Sequence, residues 1–121
     1  PNNQRRIGLA RARIDAAHAV LDRIIRGQEE YAAAAEAGTI EFSQEATLRT
    51  IMRLQSVGQL VSEGIGYLFD TSGTSATQSG EIIERVYRDI STIRTHYLMD
   101  KDRTATAWGA VQFGLDPATP N

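Results

Sequence analysis

The chain has 121 residues, 41% of them hydrophobic and 23% charged, which suits one globular domain with a core, and we expect residues 1–121 to form that domain. The net charge of −2 gives no reason to expect a nucleic-acid or membrane partner, and no stretch approaches the ~20 apolar residues of a membrane span. The chain has no cysteine, which excludes disulfides, thiolate metal sites and a cysteine nucleophile and favours a cytoplasmic location.

The first predicted element is a long helix from Gln4 to Ala37. Apolar residues recur at helical spacing through this segment, and no proline interrupts it. Gly38 follows as a C-terminal stop, because glycine readily adopts the left-handed conformation found there. Gly27 is a candidate for a break or a kink, since glycine costs about 1 kcal/mol inside a helix.

A second helix is predicted from Gln44 to about Phe69, with Ser43 as a good N-cap. Three glycines, Gly58, Gly64 and Gly66, are unusual in such a helix. They would let another backbone, or a flat ligand, approach closely. Of these two interpretations, the residues favour tight helix–helix packing.

The remaining elements are two shorter helices. A polar loop from Asp70 to Gly80 leads into a third helix from Glu81 to about Met99, and a short fourth helix follows from about Arg103 to Phe113. Gly114 then ends regular structure, and no strand pattern or internal repeat is visible. The sequence therefore predicts an all-α fold, an antiparallel up-and-down four-helix bundle.

The third helix carries the polar residues of most chemical interest. Arg85 and Asp89 are four residues apart and can form an ion pair, and His96 stands near the helix end. From the residues alone, structural roles are favoured: a helix–loop clamp for the pair and a cap for His96. The Ser72–Ser75 loop could present N–H groups to a phosphate, although such loops are common. No metal-ligand cluster, P-loop or nucleophile elbow is present, so we predict no metal site.

Several motifs taken together resemble the C-terminal helical domain of the acyl-CoA dehydrogenase superfamily. The most specific is Arg-x-x-Arg-Asp, here residues 85–89, followed seven residues later by His96 and preceded by the small Ser/Gly loop. The opening Ile7–Arg13 is similar to that domain's first helix, so the resemblance covers most of the chain. Other positions that match are Gly64, Phe69, Ala76, Thr92, Gly109 and Gly114.

The subgroup that this resemblance suggests is the oxygenase component of two-component flavin monooxygenases, which hydroxylate substrates with reduced flavin from a partner reductase. It implies that Ser72, Gly73, Thr74 and Ser75 contact the flavin, FMN or FAD, of a neighbouring subunit. It also implies that His96 is a catalytic histidine beside the reactive edge of the flavin ring. The implied partners are further copies of the protein, in a dimer or tetramer, and a flavin reductase.

Two departures from the dehydrogenase pattern bear on the function. Dehydrogenases often continue Arg-Asp into a Tyr-Glu-Gly-Thr segment whose glutamate is the catalytic base. Residues 96–99 are His-Tyr-Leu-Met, with no carboxylate, which disfavours dehydrogenation of a thioester. The Arg-x-x-Phe-Gly motif that follows the first dehydrogenase helix is also absent, and residues 39–42 read Thr-Ile-Glu-Phe instead.

Most of the flavin site in the superfamily lies in an N-terminal helical domain and a middle β-domain, and neither is in this chain. We therefore expect a fragment of a longer flavoenzyme that is inactive alone. Two alternatives stay open: a domain of an acyl-CoA dehydrogenase-like oxidoreductase, and a non-enzymatic helical interaction module.

Overall fold

The protein is all-helical in the part of the chain that the structure describes. The computed structural model describes residues 2–41, 43–71, 82–96 and 100–117. These contain four helices, α1 (Asn2–Glu36), α2 (Gln44–Thr71), α3 (Ile82–Arg94) and α4 (Lys101–Gln112). The predicted all-α fold is thus confirmed. α3 ends five residues before the predicted Met99, because the chain turns at residues 95–96.

The predicted helix ends are held by local hydrogen bonds and glycines. Ser43 caps α2, where its Oγ accepts a hydrogen bond from the Ala46 N–H at 3.2 Å. Gly38 and Gly114 follow α1 and α4 with φ of 69° and 70°, a conformation that favours glycine. α1 runs without interruption through Gly27, so the break considered there does not occur.

α2 is the central helix, because α1, α3 and α4 each pack against it. Early residues of α1 contact late residues of α2: Arg6 Nη1 donates to the Asp70 carbonyl at 2.9 Å, and Arg13 Nε donates to Glu63 Oε2 at 2.6 Å. α1 and α2 therefore run in opposite directions.

α3 and α4 lie one after the other along α2. The rings of Phe69 and Tyr87 stack with centroids 4.2 Å apart, which places α3 beside the C-terminal half of α2. Trp108 Nε1 donates to Glu45 Oε1 at 2.9 Å, which places α4 beside its N-terminal half. The up-and-down order of all four helices stays a prediction.

The α1–α2 interface is built from small side chains. Ala10, Ala17 and Ile24, seven residues apart along α1, are the apolar side chains that are buried among the described residues. On α2, a Cβ added to Gly64 would lie 3.2 Å from Ile14 Cγ1 and 3.3 Å from the Ala10 carbonyl oxygen. The glycine is needed for close packing here, which confirms the packing interpretation at this position.

An alanine at Gly64 and an alanine at Gly66 should therefore have different effects on stability. Gly66 has open space where a Cβ would stand, so Gly66→Ala should raise the free energy of unfolding by about 0.5–1 kcal/mol through helix propensity. Gly64→Ala gains the same propensity but pushes against the α1 backbone, so it should be less stable than Gly66→Ala by about 1 kcal/mol or more. Urea unfolding followed by circular dichroism measures both, and equal changes would contradict the close packing.

A second link between α1 and α2 is the ion pair of Arg13 and Glu63. The side chains are 36% and 40% exposed, so solvent screens their attraction. The hydrogen bonds from Arg13 and from Gln59 Nε2 lower the pKa of the Glu63 carboxyl, and the hydrogen bond to Glu63 raises the pKa of Arg13.

This link should weaken in acid. Because the pKa of Glu63 is lower in the folded state, its stabilisation is complete above the unfolded value of about 4.3 and is lost as the pH falls through the folded pKa. The parent should lose more unfolding free energy than Glu63→Gln between neutral pH and about pH 3. The matched control is Glu29→Gln, which replaces an exposed glutamate on α1. The unfolding free energy of this variant should change with pH as that of the parent does. Identical pH profiles for the parent and Glu63→Gln would show that the pair does not stabilise the fold.

Candidate functional site

A cavity in the described part of the chain lies between α2 and the α3–α4 pair. Its volume is about 410 Å³. The residues that line it are mostly polar: Gln55, Gln59, Ser62, Glu63, Gly66, Tyr87, Ile90, Ser91, Arg94 and Lys101. It lies where α3 ends and α4 begins, since the last residue of α3 and the first residue of α4 both line it.

Two cations from different helices reach this cavity. Arg94 is the last residue of α3, and Lys101 is the first residue of α4. Lys101 Nζ donates a hydrogen bond to Gln59 Oε1. The nearby carboxylate of Glu63 is held by Arg13 and by Gln59, at 2.6 Å and 3.0 Å. The cavity can therefore offer both donors and acceptors to a polar ligand.

A buried glutamine fixes the position of α4 beside this cavity. Gln55 is 2% exposed, and its Nε2 donates to Thr104 Oγ1 at 2.9 Å and to the Asp100 carbonyl at 3.3 Å. Asp100 is also the N-cap of α4, with Oδ1 accepting from the Arg103 N–H at 3.1 Å. The start of α4, and with it Lys101, is thereby tied to α2.

His96 lies immediately after α3, at the same interruption. It is exposed, and its backbone N–H donates to the Ile93 carbonyl at 3.0 Å. It stands two residues after Arg94, which lines the cavity. The predicted flavin contacts Ser72, Gly73, Thr74 and Ser75 lie outside the described residues, as do residues 97–99.

The Arg-x-x-Arg-Asp motif makes a different ion pair from the one that its spacing suggested. Arg88 Nη1 lies 3.5 Å from Glu84 Oε1, one turn earlier on α3, whereas Arg85 and Asp89 are exposed and do not pair with each other. One oxygen of Glu84 is enclosed by the fold, which leaves its other oxygen as the acceptor for Arg88. An i,i+4 ion pair therefore does form on α3, but between Glu84 and Arg88 and not between Arg85 and Asp89.

Neither a metal site nor a membrane span is found in the described ranges. No three His, Asp or Glu side chains come together there in a way that could hold a metal ion. No helix within those ranges has the length and apolarity that crossing a bilayer requires.

Gln55 and the two cations were not recognised as site residues from the sequence. The signal for Gln55 was a polar residue within an apolar stripe, since such a residue needs a partner when it is buried. Arg94 and Lys101 carried no such signal, because their proximity depends on where α3 stops.

The chain is similar in sequence to known oxygenase subunits. It is 33% identical over 112 residues to "Flavin-dependent monooxygenase, oxygenase subunit HsaA" of Mycobacterium tuberculosis, in the strains CDC 1551 / Oshkosh and ATCC 25618 / H37Rv. This match covers 93% of the chain and 27% of HsaA. The chain thus spans less than a third of these relatives.

Comparison of structures gives a consistent result. The crystal structure of 3-HSA hydroxylase from Rhodococcus sp. RHA1 matches with a TM-score of 0.84 at 28% identity, over 99% of this chain and 30% of that one. A sequence model of the family described as "Acyl-CoA dehydrogenase, C-terminal domain" matches residues 1–101. The chain therefore belongs to the family of acyl-CoA dehydrogenase C-terminal domains.

Proposed function

We propose that this chain is the C-terminal helical domain of the oxygenase component of a flavin-dependent monooxygenase. The observation that carries the proposal is the match to the oxygenase subunit HsaA over 93% of the chain. The chain also shares the fold of part of a hydroxylase along 99% of its own length. The hydroxylation activity, its substrate and its cofactor belong to the larger protein, and they are part of the proposal.

The described residues are compatible with a flavin that other domains help to hold. His96 is exposed at the end of α3, so a group bound from outside the chain could approach its side chain. The cavity that Arg94 lines, two residues before His96, also offers Lys101 and Ser91 as polar groups. The Ser72–Ser75 loop would contribute N–H groups and hydroxyls to the flavin of a neighbouring subunit.

The bound flavin, FMN or FAD, would supply the redox chemistry, and a flavin reductase would deliver it in the reduced form. His96 would hold or move a proton at the edge of the ring, since a neutral imidazole can donate to one partner and accept from another. Packing of the helices around this edge would keep water away. A cytoplasmic location, where a reductase can supply the cofactor, belongs to the same proposal.

The dehydrogenase alternative is less well supported by the residues. Thioester dehydrogenation needs a carboxylate base, and residues 96–99 contain none. Glu84, the half-buried carboxylate of α3, lies about three turns before His96 and is paired with Arg88, one turn later on the helix.

Replacement of His96 tests the catalytic role. In the intact oxygenase, His96→Ala should lower hydroxylation by roughly 10²–10⁴-fold, the usual contribution of an acid–base group. Release of hydrogen peroxide should rise as reduced flavin reacts with oxygen without hydroxylating the substrate. Product formation and peroxide are measured together, with the reductase in excess.

The chain offers a matched control for this experiment. His18 is the other histidine, exposed in the middle of α1, and His18→Ala should leave both readouts unchanged. Unfolding curves of the two variants should be similar, because each loses an exposed side chain. Hydroxylation at the parent rate by His96→Ala would rule out the catalytic role and favour a structural role at the helix end.

The proposal includes a homo-oligomer, a dimer or a tetramer, and one side of the α1–α2 pair supports it. Ile7, Leu21 and Ile25 of α1 and Leu54 of α2 are exposed along the same side of the interface, at helical spacing. The Arg13–Glu63 ion pair lies on the other side. An apolar surface of this kind is typical of a protein–protein contact, and we propose that a second copy covers it.

A charge placed on this apolar side should weaken assembly. Ile25→Glu would have to bury a carboxylate without a partner, so the variant should sediment as a smaller species than the parent. Ala19→Glu adds the same charge to the exposed opposite side of α1 and should assemble like the parent. Sedimentation velocity over a range of concentrations measures both, and a parent that stays monomeric at high concentration would exclude the oligomer.

A further inference from the structure

A second cleft, between α1 and α2, contains three arginines. It has a volume of about 270 Å³ and lies between the C-terminal half of α1 and the start of α2. Arg23, Arg49 and Arg53 line it, with Glu30 as the acidic residue of the lining. The cleft is thus cationic within a chain whose net charge is −2.

One of these guanidinium groups is held in place by a chain of contacts. Arg49 Nη1 lies 3.1 Å from Glu45 Oε2, and the other oxygen of Glu45 accepts the Trp108 Nε1 hydrogen bond at 2.9 Å. The Nε of Arg49 is enclosed and has no acceptor among the described residues. A guanidinium that is oriented by one carboxylate keeps further N–H groups, and it can donate these to an oxyanion.

The other two arginines have no carboxylate partner within the described ranges. Arg53 is half-buried on α2, one turn after Arg49. Arg23 approaches from α1, and its Nη1 lies over Gly27, 3.7 Å from where a Cβ would stand. Arg23 and Arg53 thus bring two charges to the cleft that no carboxylate of the described ranges pairs with, and an anion bound there would be attracted to both.

We propose that the Arg23–Arg49–Arg53 cleft binds a small oxyanion, such as the phosphate or carboxylate group of a metabolite. The planar fork of a guanidinium matches the oxygens of both groups, and arginines from two helices can surround one anion. This site is separate from the cavity between α2, α3 and α4, because the two share no lining residue. The inference does not depend on the oxygenase proposal.

Titration with inorganic phosphate, and separately with acetate, tests the site. Amide chemical shifts of the full chain are followed at a constant ionic strength of about 0.15 M, where the Debye length is about 8 Å and nonspecific attraction is screened. We expect saturable shifts at residues 23–30 and 46–53 with at least one of the two anions. A response to phosphate alone identifies phosphate as the preferred group, and a response to acetate alone identifies carboxylate.

Two glutamine variants on α1 separate a specific site from general electrostatics. Arg23→Gln removes a cleft arginine, and Arg26→Gln removes the same charge from an exposed arginine outside the cleft. We expect Arg23→Gln to weaken binding by about tenfold, the loss of one charge-assisted hydrogen bond, and Arg26→Gln to leave it unchanged. Arg53→Gln should weaken it similarly, and the Arg23 variant keeps the test valid if Arg53→Gln fails to fold. Shifts that stay linear with both anions, or equal weakening by Arg23→Gln and Arg26→Gln, would overturn the proposal.

Discussion

The close approach of α1 and α2 is the constraint on which the rest of the structure depends. Ala10, Ala17 and Gly64 carry almost no side chain, so the two helices come near enough for the Gly64 Cα to face the carbonyl of Ala10. At this distance the long polar side chains at the edge of the interface can also meet, as Arg13 and Glu63 do. Small residues at the centre and the Arg13–Glu63 ion pair at the edge thus set one register for the two longest helices.

The rest of the fold is arranged around α2. It packs α1 on one side through small apolar residues and α4 on another through hydrogen bonds of Gln55 and Glu45. Such polar contacts hold direction and register but bury little apolar area. The chain therefore leaves large apolar side chains exposed, Phe113 and Ile82 among them, and its stability should increase when further protein surface covers them.

Local features of the fold could be predicted from the sequence because their causes are local. Ser43 and Gly38 mark helix ends through a hydrogen bond and a backbone conformation that involve only adjacent residues. The family could also be recognised, because its motifs keep a fixed spacing along the chain. Long-range pairing could not be predicted. Arg13 and Glu63 are 50 residues apart, and neither segment contains a pattern that indicates its partner. The same applies to Gln55 and Leu54, which the helical periodicity assigns together to the apolar face of α2. Gln55 is buried because α4 packs on it, whereas Leu54 stays exposed.

The interruption between α3 and α4 connects the fold with the proposed chemistry. Because α3 stops at Arg94 and α4 starts at Lys101, two cations from different helices line one cavity beside α2, and His96 follows Arg94 by two residues. The hydrogen bond from buried Gln55 and the Asp100 N-cap fix the start of α4 beside α2. Because Arg94 and Lys101 stand at the ends of helices that both pack on α2, their backbones are held in a fixed geometry, as functional groups on a rigid scaffold commonly are.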